Sequence, residues 1–470
     1  MVKKRIFPLT RIHEPMQVDV EVNNGRVTDA WISGTLFRGF ELMLQNRDPR
    51  DTPIYSQRIC GICSTAHAYA STLALEDAYG IKPSPNGAII RNLIFSSDFI
   101  QNHLRQFYVL AMPDYARGPD TPPFRPLLKG DYRIPPAKEK KIYENFWKAT
   151  ELSAKAHQMV AIWGAKAPHQ QTIIPGGVTE KPTTDKITMF MSLLQEMENF
   201  INDHYIPDVY TIIEHYPEYF EIGKGYGNLI SFGAFTREDS AGSYFKGGII
   251  KNFSKEIAAI NDSRITEEVI SSWYSQAELA KHPFEETTIP DRNKPQAYSW
   301  IKTPLYHSEP VEGGPIARLW LNGKYQRGVS VNDRNIARAL ELKELTELMH
   351  TWIEKLNLQQ PTFIKYEPQF TARGAGLTDS MRGPLGHWIK IKDGRTSHYQ
   401  VITPSSWNFA ARDSKNRRGP VEEALIDTPV EDTESLIEVG RVIRSFDPCF
   451  SCAVHAVQGD KTWQKYKLQD

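Results

Sequence analysis

The sequence predicts an α+β fold that is mainly helical: a central bundle of long helices with small antiparallel sheets and hairpins at its periphery. Three observations predict it. Apolar residues recur at helical spacing over several long stretches. Short runs of alternating apolar and polar residues, turned by Asn-Gly or Asp-Gly, stand near both ends. No internal repeat and no flexible linker divides the 470 residues, so one domain is expected over residues 1–455, with 456–470 as a C-terminal extension.

The elements follow in order. Met16, Val18, Val20 and Val22 alternate with polar residues, Asn23-Asn24-Gly25 makes a turn, and residues 26–32 return, which reads as a β-hairpin. Residues 65–79 are alanine-rich and stop at Gly80, the pattern of a helix ended by a left-handed glycine. Residues 91–112 read as a second helix, and 112–136, rich in proline, glycine and charge, as a long loop. Residues 139–163, 184–214 and 265–279 read as helices, and 242–253 as mixed hairpin and loop. Late in the chain, 388–391 and 398–402 form an apparent hairpin closed by Asp393-Gly394, and 434–443 reads as the last helix.

Composition narrows the function class. With 40% hydrophobic and 24% charged residues and a formal charge of zero, the chain can bury a large core. It carries no basic excess to favour nucleic acid or an anionic membrane. No run of about 18 apolar residues is present to span a bilayer, and Met1-Val2-Lys3-Lys4-Arg5 leads into Ile6-Phe7-Pro8 rather than the apolar core of a signal peptide. The expected location is cytoplasmic, or exported or membrane-associated only through a partner subunit.

All four cysteines stand in two stretches: Arg58-Ile59-Cys60-Gly61-Ile62-Cys63-Ser64-Thr65-Ala66-His67, and Asp447-Pro448-Cys449-Phe450-Ser451-Cys452-Ala453-Val454-His455. Two Cys-x-x-Cys pairs can converge four thiolates on one soft metal such as zinc, nickel or iron. A structural zinc site is one reading, although such pairs commonly lie roughly 15–20 residues apart and a chain this long folds without a metal staple. Disulfides are the weaker reading for four cysteines in a chain with no secretory leader. If all four thiolates are committed to one centre, none remains to hold an iron–sulfur cluster. Electrons must then leave through another polypeptide.

The two stretches match Arg-x-Cys-Gly-x-Cys-x-x-x-His and Asp-Pro-Cys-x-x-Cys-x-x-His without a mismatch, and in this the chain resembles the large, catalytic subunit of the nickel–iron hydrogenases. The resemblance implies that Cys60, Cys63, Cys449 and Cys452 bind nickel. Cys63 and Cys452 would bridge to an iron carrying carbon monoxide and two cyanides. It extends to Arg38-Gly39-Phe40-Glu41 and Arg47-Asp48-Pro49-Arg50-Asp51, and implies a magnesium-type ion, or iron, held by Glu41, the carbonyl of Val401 and His455. Met381-Arg382-Gly383 and Pro404-Ser405-Ser406-Trp407-Asn408 also match. Arg382 would stand over the open face of the metals, paired with Asp447, and Pro404 and Ser405 would line the cyanide side, Ser405 as a hydrogen-bond donor.

Two departures, a histidine and a tail complete the resemblance. The family commonly has Arg-Ile-Glu-Gly-His, its glutamate receiving protons, where this chain has Arg11-Ile12-His13-Glu14-Pro15, so either Glu14 or His13 would serve. Asn102-His103 stands where many members have Asp-His, removing a charge near the centre. His67 would hydrogen-bond a cysteine sulfur rather than bind metal. Residues 456–470 resemble the tail that a maturation endopeptidase removes after nickel-insertion factors have acted, and such a tail argues against the hydrogen-sensing branch. The implied activity is reversible, heterolytic cleavage of H2, with the proton passing to a nearby base, either a terminal thiolate such as Cys449 or a base assisted by Arg382. Electrons would pass to an iron–sulfur small subunit. The rival readings are a hydrogen sensor, a zinc-stabilised scaffold, and a relative of the quinone-site subunit of respiratory complex I, which has lost the cysteines retained here.

Overall fold

The computed structural model describes residues 2–119, 121, 129–275 and 280–450. Helices dominate and the sheets are small, as the sequence predicts. At the N-terminus, β1 (Val2–Ile6), β2 (Met16–Asn23) and β3 (Arg26–Gly34) form one antiparallel sheet in that order. The β2–β3 turn places Asn24 and Gly25 at φ 49° and 70°, which the right-handed strand twist favours. Met16, Val18 and Val20 point one way into the core.

The seven longest helices among the described residues are α1 (Ser64–Tyr79), α2 (Pro85–Arg105), α3 (Pro136–Gly164), α4 (Thr184–Phe200), α5 (Ile206–His215), α6 (Val331–Glu354) and α7 (Ile437–Ser445). Helix α2 is the axis of the bundle: nearly every residue from Asn86 to Leu104 is buried, and it packs against α3 and α6. It begins earlier than position 91, because Ser84 caps it through the Gly87 N–H at 3.1 Å and Pro85 suits the first turn. The expected single helix over 184–214 is interrupted by a π turn, Ile201–Tyr205, just before Pro207, whose ring and missing N–H break the regular ladder.

The last sheet comprises β4 (Ala372–Ser380), β5 (Gly383–Lys392) and β6 (Arg395–Ile402), with β5 central. Asp393 and Gly394 turn β5 into β6 at φ 53° and 68°. Helix α1 lies directly on β4. Its alanines and two strand glycines explain the close approach: a Cβ on Gly376 would stand 1.9 Å from the Ala70 carbonyl oxygen, and one on Gly374 2.3 Å from that of Ala74.

One expectation fails and two are refined. Residues 265–279 do not make a helix: Ile265–Glu268 is a strand paired with Thr303–Tyr306, and 276–279 lie outside the described residues. Within 242–253, Ser243–Phe245 and Gly248–Ile250 pair with separate strands, Ala234–Thr236 and Leu229–Ser231, rather than with each other. The last helix starts at Ile437, three residues after position 434, and Leu436 precedes it at φ 48°. The main hydrophobic core draws on residues from Leu9 to Phe450, and a smaller cluster gathers around Trp388 and Trp407.

Candidate metal centre

The fold brings the chain ends together at α1. Cys63 is the N-cap residue of α1, so its thiol sits at the positive end of the helix, where a thiolate is favoured. Cys60 Sγ accepts the backbone N–H groups of Ile62 and Cys63 at 3.4 and 3.3 Å. Cys449 arrives from α7 and is pinned by the N-terminal segment: His13 N–H donates to the Pro448 carbonyl at 3.3 Å, and Phe450 N–H to the His13 carbonyl at 2.8 Å. The Sγ atoms of Cys60, Cys63 and Cys449 all lie within 4.8 Å of one another, Cys60 and Cys449 being 3.4 Å apart, and all three are buried. Cys452 and His455 lie outside the described residues, as does the 456–470 extension.

Charged groups surround these thiols. Arg382 is buried; its Nε donates to the Asp447 carbonyl at 3.0 Å and lies 3.2 Å from the Asp447 carboxylate, and its Nη2 donates to Asn102 Oδ1 at 2.5 Å. Nη1 has no hydrogen-bond partner among the described residues. Burial opposes the guanidinium charge, but Asp447 and the three cysteines hold it protonated. Asn102 spends both ends of its amide here, its Nδ2 donating to Asp447 at 2.8 Å. His13 is buried, its Nε2 unpartnered; burial first, then Arg382, pushes the imidazole down to about 3. Glu14 faces solvent at φ 71°. Pro404 opens the short helix Pro404–Asn408, and Ser405 Oγ accepts the Cys449 N–H at 3.1 Å, which leaves its own O–H to donate.

A second cluster is hard where the first is soft. Glu41 is buried, with Oε1 accepting the Val401 N–H at 3.2 Å and Oε2 held by the Thr288 hydroxyl and by Lys302 at 3.4 Å. Thus the N–H of Val401, rather than its carbonyl, makes this contact. Glu267 and Glu286 also surround Lys302, at 3.9 and 3.8 Å, and Gln400 donates to Glu267 at 2.7 Å. Burial raises both carboxyls, with Lys302 only partly offsetting it. Glu41, Glu267 and Glu286 thus all face the one buried ammonium of Lys302.

Sequence reasoning missed Lys302, Glu267, Glu286 and Asp98. Asp98 is an acid in the apolar middle of α2. Its Oδ1 accepts from Gln101 Nε2 at 3.0 Å, Gln101 also bonds the Ile62 carbonyl, and Oδ2 is unpartnered among the described residues. Burial pushes its carboxyl up to about 7. In the unfolded chain it ionises near 3.9, so the folded protein loses stability as pH rises from about 4 to 7 and no more above that. Asp98→Asn is therefore expected to match the parent's thermal stability at pH 4 and to exceed it at pH 8, by up to roughly 4 kcal/mol. Thermal unfolding of both at the two pH values checks this.

Comparison with known proteins decides the family. A nickel-dependent hydrogenase family model matches residues 38–117 and 121–455. The chain belongs to the nickel-dependent hydrogenases. It is 36% identical to the periplasmic [NiFeSe] hydrogenase large subunit of Desulfomicrobium baculatum, over 98% of this chain and 96% of that one. It is 31% identical to the hydrogenase-2 large chain of Escherichia coli K12, over 97% of each. The crystal structure of a reduced, active form of the Ni-Fe-Se hydrogenase from D. baculatum superposes with a TM-score of 0.93 at 37% identity, covering 97% of this chain and all of that one. The protein is thus a catalytic large subunit of a nickel-dependent hydrogenase, an oxidoreductase that oxidises H2, and its buried thiols are chemically suited to nickel and iron.

Proposed function

We propose that this subunit cleaves H2 heterolytically and reversibly at a nickel–iron centre held by Cys60, Cys63, Cys449 and Cys452, the iron carrying carbon monoxide and two cyanides. The observation that carries this reading is the group of three buried thiols within 4.8 Å beside a buried, charged Arg382. Bound metals would supply Lewis acidity and electron storage. The protein supplies ligands, dryness and fixed charge. Arg382, oriented by Asp447 and Asn102, keeps a buried, unpartnered Nη1 that would serve a bound centre, and the Ser405 hydroxyl beside Pro404 would donate to one of its cyanides. Cysteine stands at all four positions, so the selenium in the names of the relatives has no counterpart in this sequence.

For proton transfer we favour His13 over Glu14. His13 is the buried group bonded to the backbone on both sides of Cys449, whereas Glu14 faces solvent. Burial and Arg382 disfavour the imidazolium, so a proton arriving at the open Nε2 is passed on rather than trapped. Glu41, the Val401 carbonyl and His455 would hold the adjacent magnesium-type ion or iron, with Glu267 and Glu286 behind them. With all four cysteines committed, electrons pass to an iron–sulfur small subunit. Any export or membrane attachment would proceed through that partner; among the described residues no helix is long and apolar enough to cross a membrane. Residues 456–470 are removed by an endopeptidase after nickel insertion.

Metal analysis and infrared spectroscopy of the complex purified from its own host test this reading. Nickel and iron in near-equal amounts, with carbonyl and cyanide bands, are expected; zinc alone in mature protein would overturn it. In the same preparation, His13→Gln should lower turnover about 10²-fold, within the range for losing a positioned proton-transfer group. Glu14→Gln should leave it unchanged, and the reverse ranking would move the relay to Glu14.

A further inference from the structure

The face of α2 turned toward the first cysteine pair carries three polar side chains at helical spacing, Asp98, Gln101 and Arg105. Gln101 is fully buried and stands between the other two. Its Nε2 donates to the Ile62 carbonyl at 3.1 Å and to Asp98 Oδ1 at 3.0 Å, while its Oε1 accepts from Arg105 Nη2. A carbonyl only accepts and a guanidinium only donates, so no other orientation of the amide satisfies both. Asp98 and Arg105 thereby fix the amide, and the amide holds the carbonyl of a residue lying between Cys60 and Cys63.

The Ile62 carbonyl and the Cys63 N–H belong to one planar peptide and point opposite ways. Gln101 holds the first. The second donates to Cys60 Sγ at 3.3 Å, beside the Ile62 N–H at 3.4 Å. Turning this peptide away from Gln101 would therefore turn the Cys63 N–H away from the sulfur. Packing does not oppose that turn at the tip of the loop, where Gly61 is exposed and an added Cβ would meet nothing within 4 Å. Backbone N–H groups on a thiolate favour its charged form and draw electron density from it. Bonds of this kind to sulfur are among the levers that set the potentials of metal–thiolate centres.

We propose that Gln101 is a positioning residue for the metal centre. By clamping the Ile62 carbonyl it keeps the Cys63 N–H on Cys60 Sγ, and so limits the charge that this sulfur passes to the nickel. It acts from outside the ligands, as the partners that orient metal ligands do, and through the backbone of the loop. The assignment rests on the nickel–iron reading above.

The test is nickel analysis and an infrared-monitored redox titration of the purified complex carrying Gln101→Met or Gln101→Asn. Methionine has a similar length and no N–H to donate. Asparagine keeps an amide for its helix neighbours but is one methylene too short to reach Ile62, and neither changes the charge. With the clamp lost, Cys60 passes more charge to the metal. Both variants should then show a nickel midpoint potential below the parent's and carbonyl and cyanide bands at lower frequency, at unchanged nickel content. Turnover should fall about 10-fold, the lower end for outer partners of metal ligands. A side chain that merely filled space would leave potential and bands where they are. Gln101→Met decides where it folds, and Gln101→Asn where it does not. Unmoved potential and bands in the deciding variant, fully loaded, would overturn the proposal. Failure of both variants to take up nickel would overturn it too, making Gln101 a residue of folding or metal insertion. Bands missing from the parent enzyme would reject the metal centre itself, and the role of the clamp with it.

Discussion

Cys449→Ala is expected to reduce nickel in the purified complex to background and to abolish H2 oxidation while leaving the subunit folded. The thiol of Cys449 is 3.4 Å from that of Cys60 and fully buried, so no water or neighbouring side chain can take its place without rearrangement. A nickel site lacking one of its thiolates loses both a ligand and a negative charge that offsets the metal's. The fold loses little. The backbone around residue 449 is held by His13, Pro448 and Phe450 through main-chain bonds that alanine keeps, and a core extending from Leu9 to Phe450 does not depend on one sulfur. Removing it should cost about 1 kcal/mol, the lower end for a small buried truncation. Nickel analysis beside thermal unfolding separates the two effects. Metal loss with an unchanged melting profile marks a centre built into a finished fold, whereas collapse of the melting transition would mark a metal that holds the fold together.

The same contrast explains what was legible in the sequence. The thiol centre was legible because its chemistry is written in two short, dense stretches, and the long helices because α2, α3 and α4 carry their apolar positions at a sustained helical period. Ile265–Glu268 was not, because the apolar residues that follow it imitate a helical period and its partner, Thr303–Tyr306, is remote in sequence. Its β-branched Ile265 and Thr266 were the overlooked signal. Lys302, Glu267 and Glu286 come from separate segments and form a cluster only in three dimensions. Between His13 and Glu14 the sequence offers two titratable neighbours and no means of ranking them. A positive φ at Glu14, the place where the family pattern has glycine, turns the acid outward and leaves the histidine inside.

Arg382→Lys should lower kcat about 10²-fold while nickel content and thermal stability stay close to those of the parent. Charge is conserved in this substitution, so a loss must come from geometry. The guanidinium uses Nε for Asp447 and Nη2 for Asn102, and still has Nη1 unpartnered and buried on the same rigid plane. A lysine ammonium is one point of charge on a flexible stem. Drawn to the Asp447 carboxylate, it leaves Asn102 Oδ1 without its donor and presents no fixed N–H to the open side. Losing one preorganised donor of this kind costs about 10²–10³ in turnover when the reacting groups are excluded from water. Asn102 sharpens the expectation: as a neutral amide bonded to both Arg382 and Asp447, it fixes the orientation of the pair without adding a second negative charge. The ammonium then has a single carboxylate to follow and moves toward it. Turnover measured with infrared bands and nickel content on the same sample isolates this effect. A lysine enzyme retaining full turnover would mean that positive charge alone, and not the planar fork, is what the open side of the centre requires.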